Sequence, residues 1–273
     1  MDQKIGIFSF FAGAGFLDLG FESTGKFETV FVNEYHKPFM EIYQGARKNL
    51  DVQPPRYGYQ QADITENLTN LRTKWLADRI QLARKEYPLF GFIGGPPCPD
   101  FSVGGKNRGK EGENGRLSGT YIDLICNNHP DFFLFENVKG LYRTKKHRAF
   151  FDSLKAKLAD AGYLLTEKLI NSVEYGAPQD RERIILIGIH QQVLSLSQRQ
   201  SNDSHLLPNF PWSSYTTYSP EEVFSKPWPG MTEFEANSQL APIPEIIQEL
   251  TVEFWFQKNQ VTTHLNATHH FTP

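Results

Sequence analysis

The chain has 273 residues, of which 39% are hydrophobic and 22% are charged, so its composition is that of a folded globular protein and excludes a disordered tail or a coiled coil. Its formal net charge of −3 excludes nucleic-acid binding by overall basic charge, and any such role must depend on a local site. The two cysteines, Cys98 and Cys126, cannot form a disulfide framework and indicate a reducing intracellular compartment.

The apolar start of the chain, Ile5–Phe16, superficially resembles a signal peptide. A helix-like period continues directly after it, which favours a strand, a glycine turn and a helix. No other apolar run approaches the roughly 20 residues that span a bilayer. We therefore expect a cytoplasmic protein, at the nucleoid of a bacterium or phage if it acts on DNA, with no membrane partner.

Apolar runs alternate with amphipathic stretches from Lys4 to about His190, which predicts an α/β fold with a mostly parallel sheet and helices on both faces. Helices are predicted over Leu68–Glu86 and Ala149–Ala161. The last two strands are joined by a short segment without a helix period, so we expect antiparallel neighbours at one sheet edge. The predicted strands are Ile5–Phe10, Thr29–Asn33, Leu89–Gly94, Asp131–Phe135, Tyr163–Ile170 and Arg183–Ile189.

The composition changes near residue 190 to Ser, Gln, Asn, Thr and Pro with weak periodicity. We therefore predict a catalytic and cofactor-binding domain over residues 1–190 and an irregular extension over 191–273. A second irregular segment, the glycine-rich charged stretch Ser102–Gly119, directly follows a predicted strand. Long structureless loops inside compact domains are usually lids or binding loops, so a lid is favoured here over a solvated linker.

The first glycine turn is a candidate cofactor site. Phe11-Ala12-Gly13-Ala14-Gly15 joins a strand to a helix, where backbone N–H groups are free to meet a ligand. The spacing is not the full dinucleotide fingerprint, which favours another adenosine-type cofactor. Glu34 ends the second strand and could accept hydrogen bonds from ribose hydroxyls, with Tyr35 stacked on a purine. Asp63-Ile64 could contact the same base, although each carboxylate alone could equally be a solvated one.

Cys98 is a candidate nucleophile. It lies in Gly94-Gly95-Pro96-Pro97-Cys98-Pro99, where prolines and glycines fix the backbone at the carboxyl end of a strand. A core cysteine does not need such a setting, whereas Cys126 lies in an apolar helical run and is predicted to be a small buried residue.

Two further strand ends carry charged side chains. Glu136 follows four apolar residues, and desolvation there is expected to raise the pKa of its carboxyl group and make it an acid near neutral pH, although a Glu that reaches solvent from the strand end is the alternative. Arg181 and Arg183 precede the last strand at alternating positions, so both point to one face if that strand begins at Arg181. An arginine pair suits a phosphate or a base carbonyl, although a surface pair is the commoner outcome.

Taken in order, these motifs resemble those of the cytosine carbon-5 DNA methyltransferases over about two thirds of the chain. The matching residues are Phe11-Ala12-Gly13-x-Gly15, Glu34, Asp63-Ile64, Pro97-Cys98-x-x-Phe101-Ser102, Glu136-Asn137-Val138 and Gln179-x-Arg181-x-Arg183. The resemblance implies the Rossmann-like fold of S-adenosylmethionine-dependent methyltransferases, double-stranded DNA as partner, no metal, and S-adenosylhomocysteine as the product of the cofactor.

The resemblance also implies a role for each matched residue. Cys98 would add to carbon 6 of a cytosine turned out of the helix, and Glu136 would act on nitrogen 3. Asn137 would orient the Cys98 loop, Arg183 would hold the base carbonyl and Arg181 the nearby backbone. The cofactor would lie against Phe11, Ala12, Gly13, Gly15, Glu34, Tyr35, Asp63, Ile64 and Pro97.

The sequence departs from the family pattern in three respects. Phe16 replaces a usual glycine and is expected to narrow the cofactor site, and Pro99 replaces a usual glutamine beside the nucleophile. The variable target-recognition region and the later Gly-Asn-x-Val motif are not found before Pro273. We therefore expect the catalytic part alone, either a truncated chain or one subunit of a split enzyme whose second chain carries these motifs. Residues 191–273 would be an irregular extension or the start of a recognition domain. A tRNA cytosine methyltransferase and a cofactor-binding subunit inactive alone are the alternatives.

Overall fold

Strands and helices alternate along most of the described chain. The structure is a computed structural model that describes residues 3–68, 70–97, 113–177, 179–194, 206, 207, 209–224, 254, 257 and 258. The strands are β1 (Ile5–Phe10), β2 (Phe27–Asn33), β3 (Tyr59–Gln60), β4 (Phe90–Gly94), β5 (Phe132–Val138), β6 (Tyr163–Asn171) and β7 (Glu182–His190). The helices are α1 (Phe16–Glu22), α2 (Lys37–Asn49), α3 (Asn70–Glu86), α4 (Glu113–Asn128), α5 (Lys139–Arg143), α6 (Lys145–Asp160) and α7 (Pro220–Phe224).

The seven strands form one sheet in the order β3-β2-β1-β4-β5-β7-β6. The β1–β2, β1–β4, β2–β3 and β4–β5 pairs are parallel, and β5–β7 is antiparallel. The predicted mostly parallel sheet is thus confirmed, with the last two strands as neighbours at one edge. The strand order changes direction at β1 and β4, the point where open α/β sheets leave a crevice for ligands.

Helices cover both faces of the sheet. On one face, Phe31 of β2 packs against Trp75 of α3, with ring centroids 5.4 Å apart. The next residue, Val32, points to the opposite face and packs with Met40 and Tyr43 of α2. The core of the first face is strongly aromatic, and Phe8 lies 5.5–6.0 Å from four neighbouring rings. These contacts hold the carboxyl ends of β1, β2 and β4 in fixed positions.

The chain divides into two compact units. The first holds residues 1–169 and 183–210, and it contains most of the sheet. The second holds residues 170–182 and 211–273. In its described part, the backbone N–H groups of Thr217 and Tyr218 donate to the carbonyl of Glu174, and the Tyr175 hydroxyl donates to the carbonyl of Trp212. The domain boundary near residue 190 stays a prediction.

Two local expectations are corrected. The predicted loop 102–119 is shorter, because α4 begins at Glu113; residues 102–112 lie outside the described residues. Cys126 is partly buried rather than buried, and its thiol lies 3.8 Å from the carbonyl oxygen of Lys157. No helix in the described part of the chain is long and apolar enough to cross a membrane.

Candidate active site

A cavity of about 700 Å³ opens at the carboxyl ends of β1, β2 and β4, all within the first unit. Parallel strands place their carboxyl ends at one sheet edge, which is why residues far apart in sequence meet here. Seven of the nine residues predicted to contact the cofactor line this cavity: Phe11, Gly13, Glu34, Tyr35, Asp63, Ile64 and Pro97.

The other two predicted residues, Ala12 and Gly15, support the turn from behind. Ala12 packs against the cluster of Val32, Met40 and Tyr43. Gly15 has a φ of 89°, and an added Cβ would lie 2.8 Å from the Tyr43 ring, so glycine is required for both its conformation and its space. Phe16 does not narrow the cavity as expected, because its side chain is 83% exposed and is not among the lining residues.

Glu34 is held rigidly at the cavity wall. Its Oε2 accepts a hydrogen bond from the backbone N–H of Gly13 at 2.8 Å, and its Oε1 accepts one from the backbone N–H of His36 at 2.7 Å. A carboxylate oxygen has two lone pairs, so each oxygen can accept a further hydrogen bond from a ligand hydroxyl. This arrangement fits a carboxylate that receives the two hydroxyls of a ribose.

Replacing Glu34 with alanine is expected to weaken S-adenosylmethionine binding by about 1–3 kcal/mol, or roughly 5- to 150-fold, because the ribose hydroxyls lose their acceptor. Isothermal titration calorimetry measures the change. Glu41→Ala is the matched control, since Glu41 lies on the exposed surface of α2 and pairs with Lys37. Equal affinities for wild type and Glu34→Ala would contradict the ribose role.

Eight further residues line the cavity, and none was predicted as a site residue. Three of them lay in segments already singled out, Gly95 beside Cys98 and Arg116 and Leu117 in the predicted loop 102–119. Asn33 is another of the eight: its side-chain amide donates to the carbonyl of Ala62 at 3.0 Å and to Oε1 of Gln60 at 3.1 Å, and so fixes the segment that precedes Asp63. A polar residue at the end of a buried strand was the available signal. The eight residues are Asn33, His36, Phe39, Thr65, Gly95, Arg116, Leu117 and Thr120.

Three predicted catalytic residues lie together at the end of β5. Glu136 Oε1 forms an ion pair with Arg183 Nε at 2.9 Å, which the antiparallel register of Val138 opposite Arg183 makes possible. Asn137 is fully buried, and its side-chain amide lies 3.5 Å from the carbonyl oxygen of Pro96, two residues before Cys98. The Glu136 side chain is 27% exposed, and the raised pKa expected for its carboxyl group stays a prediction.

Gly95 joins this group to the cavity. It lines the cavity wall, and an added Cβ would lie 2.9 Å from Glu136 Oε2. The absence of a side chain lets the carboxyl group of Glu136 lie directly beside the end of β4. Gly95 therefore lies between the cavity and the carboxyl group of Glu136 and contacts both.

The remaining site predictions concern residues that the structure does not describe or that belong to the second unit. Cys98 and Pro99 lie outside the described residues. Arg181 belongs to the second unit, where its backbone bonds to Asn171 and Ser172. Strand β7 begins at Glu182 rather than Arg181, so the strand geometry that predicted a common face for the two arginines does not extend to Arg181.

A buried polar network lies behind the glycine turn. Ser9 donates to Asp18 Oδ1 at 2.7 Å, and Tyr43 donates to Asp18 Oδ2 at 2.6 Å. Burial raises the pKa of Asp18 to about 6, although both hydrogen bonds oppose the shift. The adjacent pair of Glu22 and Arg47 closes the network at 2.8 Å. The network fixes α1 and α2 against the turn that borders the cavity.

The pKa of Asp18 predicts a pH-dependent stability. The folded chain keeps this proton up to about pH 6, whereas the unfolded chain loses it near 3.8, so stability falls as pH rises between these values. Relative to Asp18→Asn, wild type should lose roughly 2–3 kcal/mol of unfolding free energy across this window. Thermal unfolding from about pH 4 to 7 measures the difference. A difference in unfolding free energy between wild type and Asp18→Asn that does not change with pH would refute the assignment.

No cluster of three or more His, Cys, Asp or Glu side chains suited to a metal ion occurs among the described residues.

Comparison with known protein families shows which family the chain belongs to. Residues 5–222 match the family model of the C-5 cytosine-specific DNA methylases. The chain belongs to this family. The matched range contains every residue of the cavity and the ion pair of Glu136 with Arg183, so the site lies in the part that defines the family.

Two bacterial relatives show how much of the chain is shared. The Type II methyltransferase M.NmeDI of Neisseria meningitidis serogroup C is 51% identical over 271 residues, 99% of this chain and 61% of its own length. The Type II methyltransferase M.FnuDI of Fusobacterium nucleatum is 36% identical over 68% of this chain and 47% of its own length. The chain thus spans less than two thirds of either relative.

A solved structure confirms the fold. The methyltransferase EhMeth of Entamoeba histolytica superposes with a TM-score of 0.52 at 15% identity, covering 75% of this chain and 57% of EhMeth.

Proposed function

We propose that this chain transfers a methyl group from S-adenosylmethionine to carbon 5 of cytosine in double-stranded DNA, in the cytoplasm, as the catalytic part of a methyltransferase. The adjacency of the cavity and Glu136 at Gly95 is the observation that carries the proposal. Methyl transfer requires the donor and the target base to meet, and a cofactor cavity bordered by the candidate acid satisfies that requirement.

The cavity fits the proposed cofactor. Glu34 offers both oxygens to a ribose, and the exposed ring of Tyr35 lies at the wall beside it. Gly13 has a φ of 55° with no atom within 4 Å of where a Cβ would be, which leaves the turn open to a ligand. Phe11, Asp63, Ile64 and Pro97 complete the predicted contacts, with Ala12 and Gly15 holding the turn. S-Adenosylmethionine, when bound, supplies an electrophilic methyl group.

The residues around Glu136 would activate the cytosine. Carbon 6 of cytosine is a poor electrophile until nitrogen 3 gains a proton or a strong hydrogen bond, which Glu136 would supply. The Cys98 thiolate would then add to carbon 6 and leave carbon 5 nucleophilic. Loss of the carbon-5 proton to a base would later expel the thiolate. Asn137 would position the Cys98 loop through its contact with Pro96. Before any of these steps, the target cytosine must leave the base stack of the duplex.

The arginines would fix the base. Arg183 already lies beside Glu136, and a cytosine carbonyl oxygen entering between them would accept a hydrogen bond from its guanidinium group. Arg181 would hold the nearby backbone.

We also propose that a second chain covers the mouth of the cavity. Tyr35 and Phe39 line the cavity yet are 70% and 47% exposed, and Ile42 on the next turn of α2 is 53% exposed. Exposed apolar residues grouped at a site mark a surface for a partner. In this proposal the second chain carries the Gly-Asn-x-Val motif that the family resemblance implies.

Methyl transfer is tested by incubating the chain with labelled S-adenosylmethionine and a cytosine-rich duplex, with and without a second chain that carries the Gly-Asn-x-Val motif. Label in carbon 5 of cytosine supports the proposal. A duplex already methylated at carbon 5 is the control. Purified tRNA, free of ribosomal RNA, is tested as a separate substrate. Label in tRNA alone, or cofactor binding without transfer in every arm, would contradict it in favour of the RNA enzyme or the inactive binding subunit.

A further inference from the structure

An exposed group of cations begins immediately after the catalytic end of β5. The sequence from residue 137 to 151 contains no Asp or Glu, although the chain as a whole is acidic. We call Lys139, Arg143, Lys145 and Lys146 the basic strip; all four are exposed, on α5 and the first turn of α6. A local excess of positive charge on an acidic chain indicates a site for an anion.

The cations that follow along α6 are arranged differently. Arg148 forms ion pairs with Asp152 at 3.2 Å and Glu167 at 2.8 Å, and Lys155 pairs with the same two carboxylates. Within the described residues, neither Lys145 nor Lys146 forms an ion pair. The acidic side chains near α6 thus neutralise its middle and leave the charge of its first turn in solvent.

The position of the two lysines does not stabilise their helix. Lys145 and Lys146 lie in the first turn of α6, which holds no acidic residue. The positive end of the helix dipole lies there, so each cation is placed unfavourably for helix stability. Their charge is therefore better explained by an external anion than by helix stability.

The basic strip follows the carboxyl end of β5, and the candidate site also lies at the carboxyl ends of the strands. Lys139 follows Glu136 by three residues, and α5 has only five residues, so the strip extends roughly 15 Å from Glu136. One strand of duplex DNA carries a phosphate about every 3.4 Å along the axis, so this span faces about four phosphates. On the basis of the proposed function, we propose that the basic strip binds the phosphates that flank the target cytosine.

The test is the salt dependence of DNA binding by the full chain. Each lost phosphate contact lowers the slope of log affinity against log salt by about 0.9, so Lys145→Ala combined with Lys146→Ala should lower it by about 2 between about 50 and 200 mM salt. Fluorescence anisotropy of a labelled duplex measures the slope. Alanine is a good helix former, and unchanged S-adenosylmethionine affinity verifies the fold.

The matched control removes the same number of positive charges near the amino ends of the parallel strands. Lys4 directly precedes β1 and Lys85 lies in the last turn of α3, and both are exposed. Lys4→Ala combined with Lys85→Ala should leave the slope unchanged. An unchanged slope in the strip variant, an equal fall in the control, or no DNA binding by wild type even at low salt would overturn the proposal. If the wild-type chain transfers no methyl group but the salt slope falls only in the strip variant, the result contradicts the catalytic proposal and supports phosphate binding by the basic strip.

Discussion

Cys98→Ala is expected to abolish methyl transfer to cytosine while leaving the affinity for S-adenosylmethionine nearly unchanged. The proposed reaction has no other route to a nucleophilic carbon 5, because the thiolate must add to carbon 6. The described residues that line the cavity, of which Pro97 is the nearest to Cys98 along the chain, are unchanged in this variant, so their cofactor contacts remain. Transfer of labelled methyl groups and calorimetry measure the two effects separately.

The chain provides a matched control for this experiment. Cys126 is its other cysteine, on α4 and partly buried, and Cys126→Ala should retain methyl transfer. A duplex with fluorine on carbon 5 of cytosine adds a direct readout: fluorine cannot leave as a cation, so the adduct on the thiol should survive denaturing electrophoresis. Turnover by Cys98→Ala, or an adduct formed by it, would refute the nucleophile.

Glu136→Gln is expected to slow methyl transfer by about 10²–10⁴-fold, the usual contribution of a general acid. Glutamine has nearly the same shape but cannot give a proton to nitrogen 3 of the base. Single-turnover measurements at saturating cofactor and DNA isolate this step from binding.

Glu167→Gln is the matched control for the charge change. Glu167 forms ion pairs with Arg148 and Lys155 at 2.8 and 2.9 Å, and its side chain is 19% exposed, close to the 27% of Glu136. Glu167 does not line the cavity. A rate for Glu136→Gln within tenfold of that of Glu167→Gln would exclude Glu136 as the acid.

The strands could be predicted because buried parallel strands form continuous apolar runs bounded by turn residues. Strand β3 could not, since its two residues, Tyr59 and Gln60, are too few for any periodicity. The side chain of Asn33 holds this segment in place, and that tertiary contact leaves no local pattern. Helix α2 was not singled out either, because Phe39 and Ile42 are apolar yet exposed and obscure its buried stripe.

Much of the cavity could be predicted for a similar reason: a polar residue at the carboxyl end of a parallel strand is brought to the common edge whatever the intervening sequence. Glu34 is the best example. The contributions of Arg116 and Thr120 depend on how α4 packs, which their own segment does not encode. The ion pair of Glu136 with Arg183 likewise depends on the register of β5 with β7, which no pattern along either strand specifies.

The two backbone hydrogen bonds to Glu34 mean that its carboxylate is oriented before any ligand arrives. The Glu34 side chain therefore loses its conformational entropy when the chain folds and not when the ligand binds. Such preorganisation favours tight binding by a small contact area. Folding stability and ligand affinity are consequently coupled through one side chain, so variation at residue 34 is constrained twice.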